Sequence, residues 1–447
     1  MKTRWLYVGP DRPKLRGPSN RHMKGNEKGI VMNNKIAVGL DIGTTKVCAI
    51  VASPDENNPG KLNILGIGRS SSDGLTRGVV TNIEKTVRSI QLAIQEAQAQ
   101  SGVKITAVTV GIAGDHIQSF QSRGVVAISR TDNEITKEDV ERLIEDTKRV
   151  ALPSDRKIIH VIPQQFIVDG QDGIYDPVGM SGVRMEAMVH IITGLVTAAQ
   201  NIYKCVQRAG IQVNDMVLEP LASSYAVLDD EEKEVGVALL DIGGGTTDLA
   251  VFEERTIRHT AVIGIAGKKV TDDIRKGFGI LTDQAEKLKI DHGFAYLPSI
   301  VDNQPIILPG IGGRPPIEID KRLLAQVIQP RMEEILEIAS MEIKRSGYSK
   351  HLSAGVVLTG GGSLIKGTAD LAREVLGMPV KIGIPMGFSA GLIREIENPI
   401  YATGVGLVIH ELRHRDRAAI TGAMHNGRGK GSLKNIFNRM KTWFDEL

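Results

Sequence analysis

The sequence predicts an α/β protein built from two related halves, with a small α+β insertion and a C-terminal amphipathic helix. Three observations carry this. Val235–Phe252, VGVALLDIGGGTTDLAVF, is an apolar run ending at Asp241, a cluster of glycines and threonines, and a second apolar run. Ile36–Val51, IAVGLDIGTTKVCAIV, repeats the pattern, with Asp41 standing 200 residues before Asp241. Between and after them, apolar runs of strand length alternate with segments of helical spacing, as in an α/β layer.

Each glycine stretch reads as two strands joined by a tight turn. Gly243, Gly244 and Gly245 remove every Cβ from the second turn, so backbone N–H groups from there to Thr246 and Thr247 can close on an anion. Gly43, Thr44 and Thr45 make the shorter first turn. Asp41 and Asp241, at the strand ends, are placed to hold a metal ion through water beside phosphates. Neither stretch is a Walker loop, because no Gly-Lys-Ser/Thr follows and the next element is a strand. A single copy could be an ordinary hairpin; two copies suggest paired phosphate hairpins facing one cleft.

After the first hairpin, a strand is expected near Leu62–Gly68, a helix within Val79–Ala99 and a strand over Ile105–Ile112. Residues 114–190 change character: short strands at Gly124–Ile128 and Lys157–Phe166 surround an acidic helix beginning at Thr136. His116, His160 and His190 in this insertion show no metal-ligand spacing. The α/β pattern resumes at His190–Thr193, with a helix over Thr197–Ala209, a strand over Gln212–Leu218 and an acidic turn over Asp229–Glu234. Downstream come helices at Val270–Ile280, Asp283–Ile290 and Leu323–Ser346, with loop and strand over 291–318. A strand Ala354–Thr359 leads through Gly360, Gly361 and Gly362 into a helix Leu364–Leu376, and a last helix spans Pro399–Leu412.

The third glycine cluster differs from the hairpins, being strand, glycines, helix, and it resembles a nucleotide-binding turn. Together the three sites suggest phosphate hairpins and a glycine shelf for a nucleoside. Glu286 and Lys289 share one helix face and could hydrogen-bond a ribose and edge the base, or form a solvated i, i+3 pair. Triphosphate with magnesium is the natural ligand, the turns offering neutral donors and the aspartates a metal seat. Lys46 could reach a phosphate as a point charge, or lie at the surface. Glu219 and Asp248 are the candidates to orient an attacking water, although Glu219 also suits the first turn of a helix. GIAGKK at 264–269 has neither the spacing nor the flanks of a Walker loop.

Composition narrows the classes. Of 447 residues, 41% are apolar and 24% charged, as in a globular protein. No apolar run reaches the ~20 residues of a membrane span. Cys48 and Cys205 lie far apart in apolar segments and read as core residues in a reducing compartment. The net charge is +3, but residues 1–34 hold eight Lys/Arg and two Asp/Glu. Removing these from totals of 55 and 52 leaves 47 and 50, a net −3, so the body is no nucleic-acid binder. Residues 1–34 read as a disordered basic extension; with Met23 and Met32 in or beside it, an over-extended start explains it at least as well as a functional basic arm. At the other end, 413–431 reads as a flexible linker before SLKNIFNRMKTWFDEL. There Leu433, Ile436, Phe437, Met440, Phe444 and Leu447 fall on one helical stripe bordered by Trp443. Such a helix is about 22 Å long, too short to span a bilayer and suited to lying in its interface. Docking on the body or on a partner groove is the alternative.

DIGTTK, EPLASS, DIGGGTTD and VLTGGGS resemble the phosphate-1, connecting, phosphate-2 and adenosine motifs of the actin, Hsp70 and sugar-kinase superfamily. HVIPQQF and GMSGVRMEA in the insertion resemble the FtsA family of cell-division proteins, a likeness that spans about 35–447. The resemblance implies a two-lobed actin-like ATPase fold with subdomain 1A from 35–113, 191–233 and 395–412. It further implies subdomain 1C at 114–190, 2A from 234–267 and 321–394, 2B at 268–320 and a membrane-targeting helix at 432–447. By it Asp41, Asp241 and Asp248 take the metal side, Gly243–Thr247 the phosphates, Gly360–Gly362 the adenosine, and Glu286 and Lys289 the ribose and base. It implies ATP and magnesium as cofactors and ATP-dependent self-assembly with weak hydrolysis at most. It places the chain peripherally on the cytoplasmic face of the inner membrane at the division site. There it would anchor the FtsZ ring through FtsZ's C-terminal peptide on 268–320 and recruit later division proteins through 114–190. A sugar kinase would need a substrate-directed aspartate that the insertion does not offer, and an Hsp70 chaperone a long region after Leu412. The terminal stripe speaks against a pilus-assembly adaptor of the same superfamily.

Overall fold

A computed structural model of the chain describes residues 36–310 and 315–424. They fall into a smaller unit, 120–153 with 160–192, and a larger one containing 37–119, 154–159 and the chain from 193 onward. The basic extension 1–34 and the terminal helix 432–447, with Leu433, Ile436, Phe437, Met440, Trp443 and Phe444, lie outside the described residues.

The larger unit holds two sheets of the same plan. In the first the order is Gln212–Leu218, Ala107–Ile112, Ala37–Ile42, Lys46–Pro54, Leu62–Ser71, Phe388–Gly391. In the second it is Thr256–Ile263, Thr247–Glu253, Val237–Ile242, Val356–Thr359, Val380–Ile382. Each contains an antiparallel meander whose opening hairpin is the glycine turn, continued by parallel strands. The duplication reaches the register: Asp41 faces Cys48 and Asp241 faces Asp248, so Cys48 stands where the second half has Asp248.

Ala37–Ile42 and Val237–Ile242 are buried at every position, as expected of strands covered on both faces. The helix Ile83–Ser101 lays Val87, Ile90, Ala93, Ile94 and Ala97 on the first sheet, capped by Asn82 accepting from Lys85 N. The helix Ala402–Met424 also packs there, so closely that a Cβ on Gly39 would stand 3.0 Å from Leu407 Cβ. In the second half Leu240, Leu249, Val251 and Leu358 meet Ile274, Leu288, Ile328, Ile335 and Leu371 in one core. Its long helix Lys321–Arg345 is capped by Asp320, which accepts from Leu323 N at 3.0 Å.

The smaller unit is built on a sheet ordered Gln118–Ala127, Arg184–Leu195, Arg156–Val168, Gln171–Ile174. Its helix Lys137–Thr147 starts with a capping box between Thr136 and Asp139, the local chemistry that placed its start in the sequence.

Four expectations change. The helix expected over Leu364–Leu376 is a 3-10 turn at Gly361–Leu364 and then a helix only over Thr368–Leu376. Gly360 and Gly367, both at φ 79, turn the chain out of helical geometry on either side. Phe388–Gly391, expected in the second half, pairs in parallel with Leu62–Ser71 at the edge of the first sheet, moving that boundary upstream of 395. The acidic turn at Asp229–Glu234 is a short helix, Asp230–Val235, with a capping box between Asp229 and Glu232. Residues 413–424 continue the last helix instead of opening the linker; no glycine interrupts the chain from Leu407 to Thr421, and Arg415 pairs with Glu411 one turn back.

Candidate functional site

The two glycine turns meet tip to tip. A Cβ on Gly244 would lie 3.0 Å from Thr45 Cβ, and one on Gly245 2.7 Å from Thr44 Cβ. Threonines of the first turn therefore fill space that glycines of the second leave open. Each turn closes on itself, Gly43 N donating to Lys46 O at 2.9 Å and Gly243 N to Thr246 O at 3.0 Å. The helix Gly267–Phe278 starts against the second turn, with Gly267 N donating to Gly243 O at 3.1 Å and Lys268 N to Gly244 O at 2.8 Å.

Behind the tips lies a buried acidic group. Asp41, Asp241 and Asp248 are 5%, 8% and 4% exposed, so each has left water while keeping a potential charge. Asp241 Oδ2 accepts from Ser223 Oγ at 2.8 Å and from Thr403 Oγ1 at 3.3 Å, and the two hydroxyls lie 3.1 Å apart. Ser223 sits on the helix Glu219–Val227 that leaves the first sheet, and Thr403 on the helix Ala402–Met424. Asp41 Oδ2 accepts from Lys46 Nζ at 2.7 Å. Asp248 Oδ2 accepts from Thr246 Oγ1 at 3.2 Å, while its buried Oδ1 has no hydrogen-bond partner. Gly111, beside Glu219, leaves room for that side chain: a Cβ there would lie 3.0 Å from Glu219 Oε1.

The electrostatics follow from this crowding. Burial pushes the Asp248 carboxyl well above the usual carboxylate range, and Asp241 adds to it. Burial raises Glu219 likewise, reinforced by Asp41, Asp248 and Asp241. Asp241 is raised by burial and by Asp41, against the pull of the Ser223 hydroxyl. Burial works against the Lys46 ammonium, but Asp41 more than offsets it and holds the charge above its ordinary range. Cys48, at the Asp248-equivalent position, is pushed up to about 12 by burial and is a neutral core thiol.

Lys289 is buried, donating to Glu286 Oε2 at 2.8 Å, Thr271 Oγ1 at 2.9 Å and Gly267 O at 3.2 Å. Glu286 and Lys289 are therefore no solvated pair: Lys289 clamps the helix Thr282–His292 to the helix start that touches the second turn. Gly360 abuts Asp241, and Gly362 packs on Ile242, because Val356–Thr359 runs parallel beside Val237–Ile242. Lys46 is engaged by Asp41 and does not project freely toward the turns. Among the described residues, no group of three or more His, Cys, Asp or Glu side chains is arranged to hold a metal ion. No described helix is long and apolar enough to cross a membrane.

Most of the chain has close relatives. It is 45% identical over 414 residues to the cell division protein FtsA of Pseudomonas aeruginosa, covering 92% of this chain and 98% of that one. The chain belongs to the FtsA family of cell division proteins. The FtsA of Escherichia coli K12 is 41% identical over 385 residues, 84% of this chain and 90% of that one. The family described as cell division protein FtsA matches residues 238–406, and the SHS2 domain inserted in FtsA matches 114–193. Among solved structures, the PilM–PilN type IV pilus biogenesis complex aligns with TM-score 0.63 at 17% identity, over 84% of this chain and 98% of that one. MreB5 of Spiroplasma citri bound to AMPPNP aligns with TM-score 0.53 at 15% identity, over 87% and 99%. The fold of this FtsA-family chain is thus actin-like, with an SHS2 insertion.

Sequence reasoning missed Ser223 and Thr403, which hold Asp241. The EPLASS motif flagged the first without giving it a role; Thr403 carries no local signal, being 162 residues from its partner.

Proposed function

We propose that the chain binds ATP with magnesium at its paired glycine turns and uses the nucleotide to govern assembly with copies of itself. The observation that carries this is the tip-to-tip meeting of two duplicated glycine turns over buried carboxylates. Gly43, Thr44 and Thr45 with Gly243–Thr247 supply phosphate donors, Gly360–Gly362 a nucleoside shelf, and Glu286 and Lys289 ribose contacts. Asp41, Asp241 and Asp248 would hold a divalent cation through water, no three such side chains being arranged among the described residues to ligate one directly. Three buried aspartates beside Glu219 face the half-buried Lys46, and Asp248 Oδ1 lacks a partner. Such a cation would supply charge neutralisation for bound phosphates. Glu219 and Asp248 orient water. Hydrolysis is weak at most, and the nucleotide acts mainly by binding. MreB5, of the same fold, was solved with AMPPNP.

The test is equilibrium ATP binding by the full chain and by Asp241→Asn, which keeps the side-chain volume. Affinity should fall about tenfold or more with loss of the carboxylate; unchanged affinity overturns the site.

The same reading gives the protein a tethering role at the cytoplasmic face of the inner membrane. The stripe Leu433, Ile436, Phe437, Met440, Trp443 and Phe444 binds the lipid surface, filaments multiply the number of such helices, and the avidity holds the FtsZ ring. FtsZ's C-terminal peptide docks on 268–320 and later division proteins on 114–190. Liposome co-sedimentation of the full chain against one ending before Ser432, with and without ATP, decides it: lipid binding that survives truncation sinks the tether.

A further inference from the structure

The helix Ala402–Met424 is built into the first half of the molecule. Its Leu407 is buried with Val217 of the strand Gln212–Leu218 and Ala222 of the helix Glu219–Val227. Gly406 runs so close to the latter helix that a Cβ there would overlap Ala222 O, and one on Gly404 would lie 2.6 Å from Ile50 Cδ1. Further along, Glu411 accepts from Val38 N at 3.1 Å and from Asn214 Nδ2 at 2.7 Å, and His410 Nε2 lies 2.9 Å from Asp215 Oδ2. The first sheet and these two helices are thus one closely packed body. Asp241 belongs to the other half, in the strand Val237–Ile242.

Where that body meets Asp241, two buried hydroxyls have unequal choices. Ser223 Oγ gives its single proton to Asp241 Oδ2 at 2.8 Å. Thr403 Oγ1 also carries one proton but has two acceptors, Asp241 Oδ2 at 3.3 Å and Ser223 Oγ at 3.1 Å. Both contacts are longer than the about 2.7–2.8 Å usual for a hydroxyl donor, so a small shift of the carboxylate decides between them. With the proton on Asp241, the last helix is tied to the second half. With the proton on Ser223, the bond stays within the first half.

We propose that Thr403 is a two-state contact coupling occupancy of the site to the last helix. Its hydroxyl bonds Asp241 when the site is empty and turns to Ser223 when a bound cation draws on the carboxylate, which releases the start of the helix Ala402–Met424 from the second half. The Thr403 bond gives way first because Ser223 holds the same oxygen at the shorter distance. The trigger rests on the nucleotide reading above. The two hydroxyl states rest on distances that involve no ligand.

Hydrogen exchange of the amides of 404–412 in the full chain reads the helix, without nucleotide and at saturating ATP with magnesium. In the parent, ATP should raise exchange about threefold to tenfold, the factor that one hydrogen bond of ordinary strength sets. Thr403→Val keeps the side-chain shape and removes the proton, so its exchange should be raised already without nucleotide and rise no further with it. Ser223→Ala removes the second acceptor and leaves Thr403 only Asp241, so its exchange should not exceed the nucleotide-free parental value in either condition. Thr403→Ser keeps the hydroxyl and should follow the parent. A merely structural contribution would loosen the helix in Thr403→Val and Ser223→Ala alike, and that result overturns the proposal. So does a parental ATP response in Thr403→Val, or no response in a parent that has bound ATP. ATP affinity measured on the same samples keeps the two readings apart. Unchanged affinity in Asp241→Asn removes the nucleotide as trigger and leaves the two-state contact to stand or fall on the nucleotide-free rates of Thr403→Val and Ser223→Ala.

Discussion

Gly360 sits against Asp241 so closely that no side chain fits between them: a Cβ there would overlap Asp241 Oδ1 and lie 2.6 Å from Ile242 O. With φ at 79, Gly360 also occupies a backbone region that alanine enters at a cost. The third glycine cluster thus serves the aspartate at the centre of the site directly.

Gly360→Ala should destabilise the larger unit by roughly 2–4 kcal/mol, from left-handed strain plus overpacking, and weaken nucleotide binding by displacing Asp241. Urea melts read the first and an ATP titration the second. A variant of parental stability would mean that Val356–Thr359 and its glycine turn shift freely, contrary to their packing.

Glu219→Gln should change the pH dependence of stability. Burial and the three aspartates raise the folded-state pKa of Glu219, so the native protein holds that proton more tightly than the unfolded chain. The resulting stability is fully present below the ordinary carboxylate value and is lost as pH rises through the raised folded value. The glutamine variant should therefore gain melting temperature relative to the parent at pH 8 and little or none at pH 4. Parallel melting curves across that range would show that Glu219 is not buried against the aspartates.

Lys233 should behave with the opposite sign. Burial lowers its pKa from 10.5 to about 8, against Asp230, while Arg413 also disfavours the charge. The side chain is buried, with its ammonium over Tyr225 at 5.6 Å and Phe252 at 5.7 Å. Below pH 8 both states are protonated and the burial cost is in force; between about 8 and 10.5 the native state releases its proton first and stability rises. Lys233→Met should stabilise at pH 7 by about 2 kcal/mol, with the gain shrinking toward pH 10. Chemical denaturation at the two pH values checks it.

Thiol reactivity offers a direct test of the first hairpin. Cys48 is fully buried with its thiol pushed up to about 12, and Cys205 is buried and raised to about 11. A thiol-specific reagent at pH 8 should label neither at an appreciable rate in the native chain and both after unfolding. Fast labelling of Cys48 in the native chain would mean that the strand Lys46–Pro54 opens readily.

Much of the molecule was legible locally. The hairpins, the strand Gln212–Leu218 and the helix begun by Thr136 follow from apolar runs, glycine clusters and a capping pair, chemistry that acts over a few residues. Repetition of the hairpin disclosed the duplication, because matching runs around Asp41 and Asp241 need no knowledge of how the sheets pack. Four features depended on packing over long separations. Phe388–Gly391 is too short to signal its sheet, and its partner Leu62–Ser71 is remote in sequence, Ser389 and Asn63 standing 326 residues apart. Thr403 reaches Asp241 across 162 residues. Lys289 could have been solvated on spacing alone; burial against Gly267 and Thr271 made it a clamp. The raised proton affinity of Glu219 and Asp248 is not a property of either residue: it arises where the fold brings their carboxyls together with Asp41 and Asp241 and withdraws them from water. Residue type and spacing determined which groups the chain carries and which turns it makes. Only the tertiary structure decided which groups share a boundary with water, and with it their charge.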